Sequence, residues 1–230
     1  MLSFDDGYKD FATVAAPILD RRGLRANLNV IPGCIERQLP PFNVLAQDFA
    51  GRAPKEVVAR LELPGFEDFT SPGLGGRLSA FLKNRPREEQ RRIEDALIPQ
   101  FFAWEGFRPT PMMTAEDVRQ VAVRHEIGAH SFDHASMEFE SDDFFRDDVD
   151  RCSAYFRDTL GLDMAIYAFP NGSCRQSQVD QALASGVAHV LLVGEDFSSV
   201  GARVHPRFTF AASSPAEARF RALGALRKAA

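Results

Sequence analysis

Apolar residues Phe11, Val14, Ala15, Ile18 and Leu19 recur with the spacing of one helical face, and Gly23 follows as a stop. That pattern predicts a helix over residues 8–22. A second apolar stripe, Ile93, Ala96, Leu97 and Phe101, predicts a helix over 86–102. Thr114-Ala115-Glu116-Asp117 reads as a capping box heading a helix over 115–124. Ser141 caps a long helix ending near Leu160 before Gly161, and a helix over 177–185 stops at Gly186. Ser214-Pro215-Ala216-Glu217 combines cap, first-turn proline and glutamate, and starts a helix expected to run to about residue 228.

Between these lie short apolar runs bounded by turn residues, at 2–4, 26–31, 126–129, 165–169, 188–193 and 204–210, which read as strands. Strand and helix alternate through most of the chain. This predicts an α/β fold, a mostly parallel sheet covered by helices, open or closed as a barrel. In such folds chemistry gathers at the carboxyl ends of the strands. Residues 35–110, rich in Gly, Pro, Phe and Arg, interrupt the alternation. They are expected to form a helical insertion packed on the main domain, with a lid or a dimer contact as alternatives. No repeat and no linker marks a second domain, so residues 1–230 are expected to form one catalytic domain.

Composition narrows the classes. With 230 residues, 45% hydrophobic and 26% charged, the chain can bury one sizeable core. No apolar run is long enough to span a membrane, and the first residues have no leader pattern. Net charge is −5, and the 27 basic residues are scattered, which argues against a nucleic-acid groove. Cys34, Cys152 and Cys174 are far apart and odd in number. Reduced thiols and a cytoplasmic setting are therefore expected.

Two clusters carry candidate chemistry. Phe4-Asp5-Asp6-Gly7 closes the first strand with two adjacent carboxylates, which repel one another unless a cation sits between them or one caps the next helix. His130-Ser131-Phe132-Asp133-His134 follows the strand at 126–129. Histidines four apart share one face of a helical turn and can ligate one metal ion. Together they offer two imidazoles, one carboxylate for the metal and a spare carboxylate as general base. Two His and one Asp leave a position open for water on a divalent ion, which is the equipment of a metal-assisted hydrolase. Phe169-Pro170-Asn171-Gly172 makes a tight turn at another strand end, where a backbone N–H could meet an oxyanion. On the last strand His205 and Arg207 share a face, and a closed barrel would bring that strand beside the first. His125 and His189 stand at the beginnings of strands and read as structural.

These residues resemble the polysaccharide deacetylase family, carbohydrate esterases built on the chitooligosaccharide deacetylase homology domain. Ser3-Phe4-Asp5-Asp6-Gly7-Tyr8 resembles its first motif, His130-Ser131-Phe132-Asp133-His134 its second and Phe169-Pro170-Asn171-Gly172 its third. The resemblance implies an irregular (β/α) barrel that removes an N-acetyl group from a sugar. It implies a divalent metal, zinc first, with cobalt, nickel or iron as alternatives. By the resemblance Asp5 is the general base, and Asp6, His130 and His134 hold the metal. Asn171 supplies the oxyanion N–H, and Phe169 and Pro170 border the carbohydrate substrate. The family's arginine supporting the base is replaced by Ala168, with Arg207 as substitute. Arg203-Val204-His205 approximates the closing motif, which makes His205 the general acid. Hydrolysis of a formyl or cyclic amide, and glycan binding without turnover, are the competing expectations.

Overall fold

A computed structural model describes residues 2–63, 66, 73–194 and 196–224. Six strands form one sheet in sequence order, every neighbouring pair parallel. They are β1 (Leu2–Phe4), β2 (Ala26–Val30), β3 (Glu126–Ala129), β4 (Ile166–Ala168), β5 (His189–Val193) and β6 (Val204–Arg207). A π-turn at Phe11–Ala15 runs into α1 (Ala16–Arg21), so the expected first helix is tighter in its second half than its first. Helix α2 (Pro32–Arg37) follows β2, and α3 (Phe42–Arg52), α4 (Lys55–Val58), α5 (Leu74–Lys83) and α6 (Arg87–Phe102) fill the interruption. Helix α7 (Ala115–Ala122) has the expected capping box, with Thr114 and Asp117 each accepting from the other's backbone N–H. Helix α8 (Asp142–Tyr155) is capped by Ser141 and continues as a π-turn to Leu160 before the left-handed Gly161. Helices α9 (Gln176–Ala184) and α10 (Pro215–Ala222) complete the chain; residues 225–228 of the expected last helix lie outside the described residues. No helix among those described is long and apolar enough to cross a membrane.

Alternation divides the sheet into two faces. Leu28, Val30, Ile127, Ala129, Tyr167, Phe169 and Val190 point to the helices and pack with Phe11, Val118, Phe145 and Phe156 in the main core. The other face carries Ser3, Asp5, Asn27, Asn29, Gly128, His205 and Arg207, with a small apolar cluster of Ile166, Ala168 and Leu191. Phe42, Leu45, Phe49, Leu78, Leu97, Phe101 and Phe107, from the helices of the interruption, form a separate apolar cluster. The sheet curls into a half-barrel. Among the described residues β6 makes no backbone pairing with β1, and only the Arg207 side chain reaches across to Ser3 and Asp5. Strand β6 also ends at Arg207, three residues short of expectation.

Candidate active site

The first strand ends where Asp6 and Gly7 both take positive φ, 77° and 82°. The backbone turn carries the Asp6 carboxylate to the same strand-end level as the loop after β3. In that loop Ser131 and His134 also have positive φ, 59° and 58°. Each such non-glycine conformation costs on the order of 1–3 kcal/mol and persists only where surrounding contacts enforce it. The expected helical turn between the two histidines is therefore absent. The segment is a strained loop, and it brings the ring centroids to 5.2 Å by a different backbone route.

Buried contacts enforce that loop. Asp148 of α8, wholly buried, accepts from Ser131 Oγ and Phe132 N–H, both at 2.9 Å, and from Tyr167 OH at 2.8 Å. Burial raises its pKa despite these donors. Asp133 turns the other way, onto Arg37 at 2.7 Å and Arg151 at 3.4 Å. Gly33 N–H donates to Phe132 O at 2.8 Å, and a Cβ on Gly33 would stand 2.5 Å from the Asp133 carboxylate. Asp148 is the supporting residue that motif reading misses. Its only sequence mark is a lone acidic position on the apolar face of α8.

At the strand ends, Asp6 Oδ1 lies 3.6 Å from both His130 Nε2 and His134 Nε2. It is buried and accepts no hydrogen bond among the described residues. His130 Nδ1 stands 2.8 Å from the Ala168 carbonyl. A carbonyl only accepts, so Nδ1 carries the proton and Nε2 turns its lone pair toward Asp6. Burial pushes the His134 ring down to about 4, which leaves it neutral near pH 7. Electron pairs thus converge on one point with no proton between them, and an orphaned carboxylate oxygen is costly. A tetrahedral ion with ligands at 2.0–2.2 Å holds its donor atoms about 3.4 Å apart. The Asp6, His130 and His134 donors, all within 4.8 Å of one another, fit such an ion.

Asp5 sits beside this group, its Oδ2 3.9 Å from His130 Nε2. Arg207 Nη1 and Nη2 donate to its two oxygens at 2.8 and 2.9 Å, and Asn29 Nδ2 donates to Oδ1 at 2.8 Å. Ser3 Oγ accepts from Arg207 at 2.9 Å and donates to Asn27 Oδ1 at 2.7 Å. Burial would raise the Asp5 pKa, but the Arg207 guanidinium and the Asn29 amide outweigh it and hold the carboxyl well below the usual range. Asn29 was not among the candidates. Its signal was the alternation Ala26-Asn27-Leu28-Asn29-Val30, which sets two amides on the face of Ser3 and Asp5.

Gly128 makes room for Asn29, since a Cβ there would meet Asn29 Oδ1 at 2.4 Å and Ile166 Cβ at 2.9 Å. Gly128→Ala is expected to cost about 1–3 kcal/mol, the usual penalty of overpacking. A urea midpoint shift of that size should be accompanied by lost turnover, because Asn29 can yield only by leaving Asp5. An unchanged midpoint would show that the barrel centre has slack.

Other expected positions separate from this group. His205 is bonded through its two ring nitrogens to His189 Nδ1, at 3.0 Å, and to Ser198 Oγ. It precedes Arg207 by two residues, about 7 Å back along the strand toward the amino end. The structure thus gives His205 contacts with His189 and Ser198, two residues short of the level at which Arg207 meets Asp5. It also couples His189, read as structural, to His205. Phe169 is fully buried, with ring centroids 5.4 Å from Phe145 and 5.1 Å from Tyr167, and Pro170 is buried beside it. Both sit within the packed interior, so neither borders substrate as expected. Asn171 is exposed at φ 57°, and its N–H lies outside the two turn bonds made by Gly172 and Ser173. Ala168 contributes its carbonyl to His130, while Arg207 occupies the Asp5 carboxylate. His125 is buried, accepting from Ala26 N–H at 3.3 Å.

The family model described as polysaccharide deacetylase matches residues 82–190, a stretch that includes both histidines and lies outside Asp5 and Asp6. No curated protein matches the chain by sequence. Among solved structures, the deacetylase PplD of Streptococcus pyogenes, in complex with acetate, is similar with a TM-score of 0.55 at 17% identity, covering 90% of this chain and 62% of that one. A de-N-acetylase from Aggregatibacter actinomycetemcomitans gives 0.53 at 17% identity, covering 90% and 68%. IcaB from Ammonifex degensii gives 0.56 at 16% identity, covering 97% and 72%. These likenesses are of fold, and this chain spans less than two thirds of the length of PplD. Residues 82–190, just under half of the chain, match the polysaccharide deacetylase model, and the six-stranded half-barrel around them shares its fold with the deacetylase PplD and with IcaB.

Proposed function

We propose that this chain is a metal-dependent deacetylase that removes an N-acetyl group from a sugar of a glycan or glycoconjugate. The observation carrying this reading is the buried, unpartnered Asp6 oxygen facing two imidazole Nε2 atoms, with Asp5 alongside. The activities named for PplD and for the Aggregatibacter protein support amide hydrolysis at such a site. Residues 1–230 are read as one catalytic domain, with 35–110 as its helical insertion.

In this reading Asp6, His130 and His134 hold a divalent ion, zinc being suited to a two-nitrogen, one-oxygen set. When bound, the ion supplies a Lewis acid that polarises the acetyl carbonyl and lowers the pKa of water to about 7. Asp5 takes the proton of the attacking water as general base. Arg207 and Asn29 keep its carboxylate ionised and fixed in direction. The N–H of Asn171, outside the turn bonds, donates to the oxyanion as the carbonyl becomes tetrahedral. With His205 bonded to His189 and Ser198, Asp5 returns its proton to the leaving nitrogen as the C–N bond breaks, giving acetate and a free amine.

The test is direct. The chain is loaded with zinc and incubated with acetylated chitooligosaccharide, and acetate and amine are measured together. Equal release of both, abolished by a chelator and restored by zinc, is the expected result. Zinc binding without release from any N-acetyl sugar would leave only glycan binding on this scaffold.

A further inference from the structure

A pocket of about 240 Å³ opens between the insertion and the loop after β3, and His134 is among its lining residues. One wall is helix α6. Arg91, Asp95 and Ile98 recur there at helical spacing and face the pocket. The lining also includes Leu39-Pro40-Pro41 from the link between α2 and α3 and Phe42 at the head of α3, an apolar stretch. Three arginines, Arg37, Arg87 and Arg91, line the pocket against three carboxylates, Glu94, Asp95 and Asp133, so its formal charge is balanced.

Most of these charges are already committed. Arg87 forks onto Glu94 at 2.7 and 2.9 Å, and Arg37 holds Asp133 at 2.7 Å. Arg91 and Asp95 are the exceptions. Arg91 approaches Asp133 only to 3.9 Å, and Asp95 has no ion pair or hydrogen bond among the described residues. The pocket therefore offers a planar donor fork and a carboxylate acceptor one helical turn apart, together with an apolar stretch of lining. Vicinal hydroxyls match the first pair, and the C–H face of a sugar ring matches the second. A charged ligand gains nothing net from a balanced lining. The volume lies below the ~300–1,000 Å³ of drug-sized pockets, so it suits a single unit.

We propose that this pocket is a subsite for one uncharged sugar unit, adjacent in the glycan to the unit whose N-acetyl group reaches Asp5 and Asp6. The proposal rests on the deacetylase reading for the identity of its ligand. Its geometry does not depend on turnover, because the lining comes chiefly from the insertion and shares only His134 with the metal donors.

The test is equilibrium binding by the native chain of N-acetylglucosamine, of its β-1,4- and β-1,6-linked tetramers and of a tetramer of galacturonic acid. One neutral tetramer should bind about 10-fold more tightly than the monomer, the scale of one hydrogen bond to a charged group. Arg91→Ala combined with Asp95→Ala should remove that preference. Leu39→Trp, filling the pocket from the apolar stretch, should remove it as well, so the result does not depend on one variant. A native chain without length preference, variants that keep the preference, or tighter binding of the acidic tetramer would each overturn the subsite. A preserved length preference in a chain that releases no acetate would instead sink the deacetylase reading and leave the pocket standing.

Discussion

His134→Ala is expected to abolish cation binding and acetate release together while leaving the chain folded. Three donors converge beside the strand ends, and His134 Nε2 is one of the two imidazole nitrogens among them. Disturbing even the outer partners of a metal ligand typically costs about 10–100-fold in affinity, and removing a ligand outright costs more. The fold should survive, because the loop is held by Asp148 and Asp133 rather than by the ring itself. Competition with a chromogenic chelator gives the affinity, and far-ultraviolet circular dichroism gives the fold. His205→Ala is the matching control, since its ring bonds to His189 and Ser198 instead. Native zinc affinity in His134→Ala would take this residue out of the ligand set.

Much of this site was legible because it lies at strand ends, where short motifs interrupt apolar runs. Asp5-Asp6-Gly7 and the two histidines could be placed from order and spacing alone. The manner of their convergence could not. A spacing of four reads as a helical turn, whereas the loop reaches the same result through left-handed residues at Ser131 and His134. Those conformations are imposed by long-range partners, and sequence neighbours carry no sign of them.

Phe169 and Pro170 were misplaced because a motif assigns positions without faces. Alternation puts Phe169 with Tyr167, toward the helices, and only the carbonyl of Ala168 looks toward His130. Arg207 and His205 share a face, but the strand stagger of a curled sheet decides which of them is level with Asp5. That stagger is a property of all six strands, so no single motif contains it. Asn29 was legible in principle, from two amides alternating with apolar residues in β2.

Asp5→Asn is expected to keep the cation and lose turnover by about 100-fold or more, the ordinary size of a general-base contribution. Asparagine preserves shape and can still accept from Asn29 or Arg207, so the neighbouring donors stay in place. It has no basic oxygen for the proton of water. Arg207→Ala separates position from charge. In the native chain Arg207 stabilises the ionised carboxyl, and the Asp5 pKa lies below the ordinary carboxylate value. Protonation of the base, and with it the acid limb of kcat/KM, therefore falls below the usual range of about 3.9. Without the guanidinium the charged form loses its main partner, the pKa rises, and the limb moves to higher pH. The loss in Arg207→Ala should be greatest in acid and smaller near neutrality, while Asp5→Asn is impaired at every pH. Zinc affinity distinguishes the roles once more. If Asp5→Asn sheds the ion as His134→Ala does, Asp5 is a ligand, and the assignment of the two aspartates is reversed.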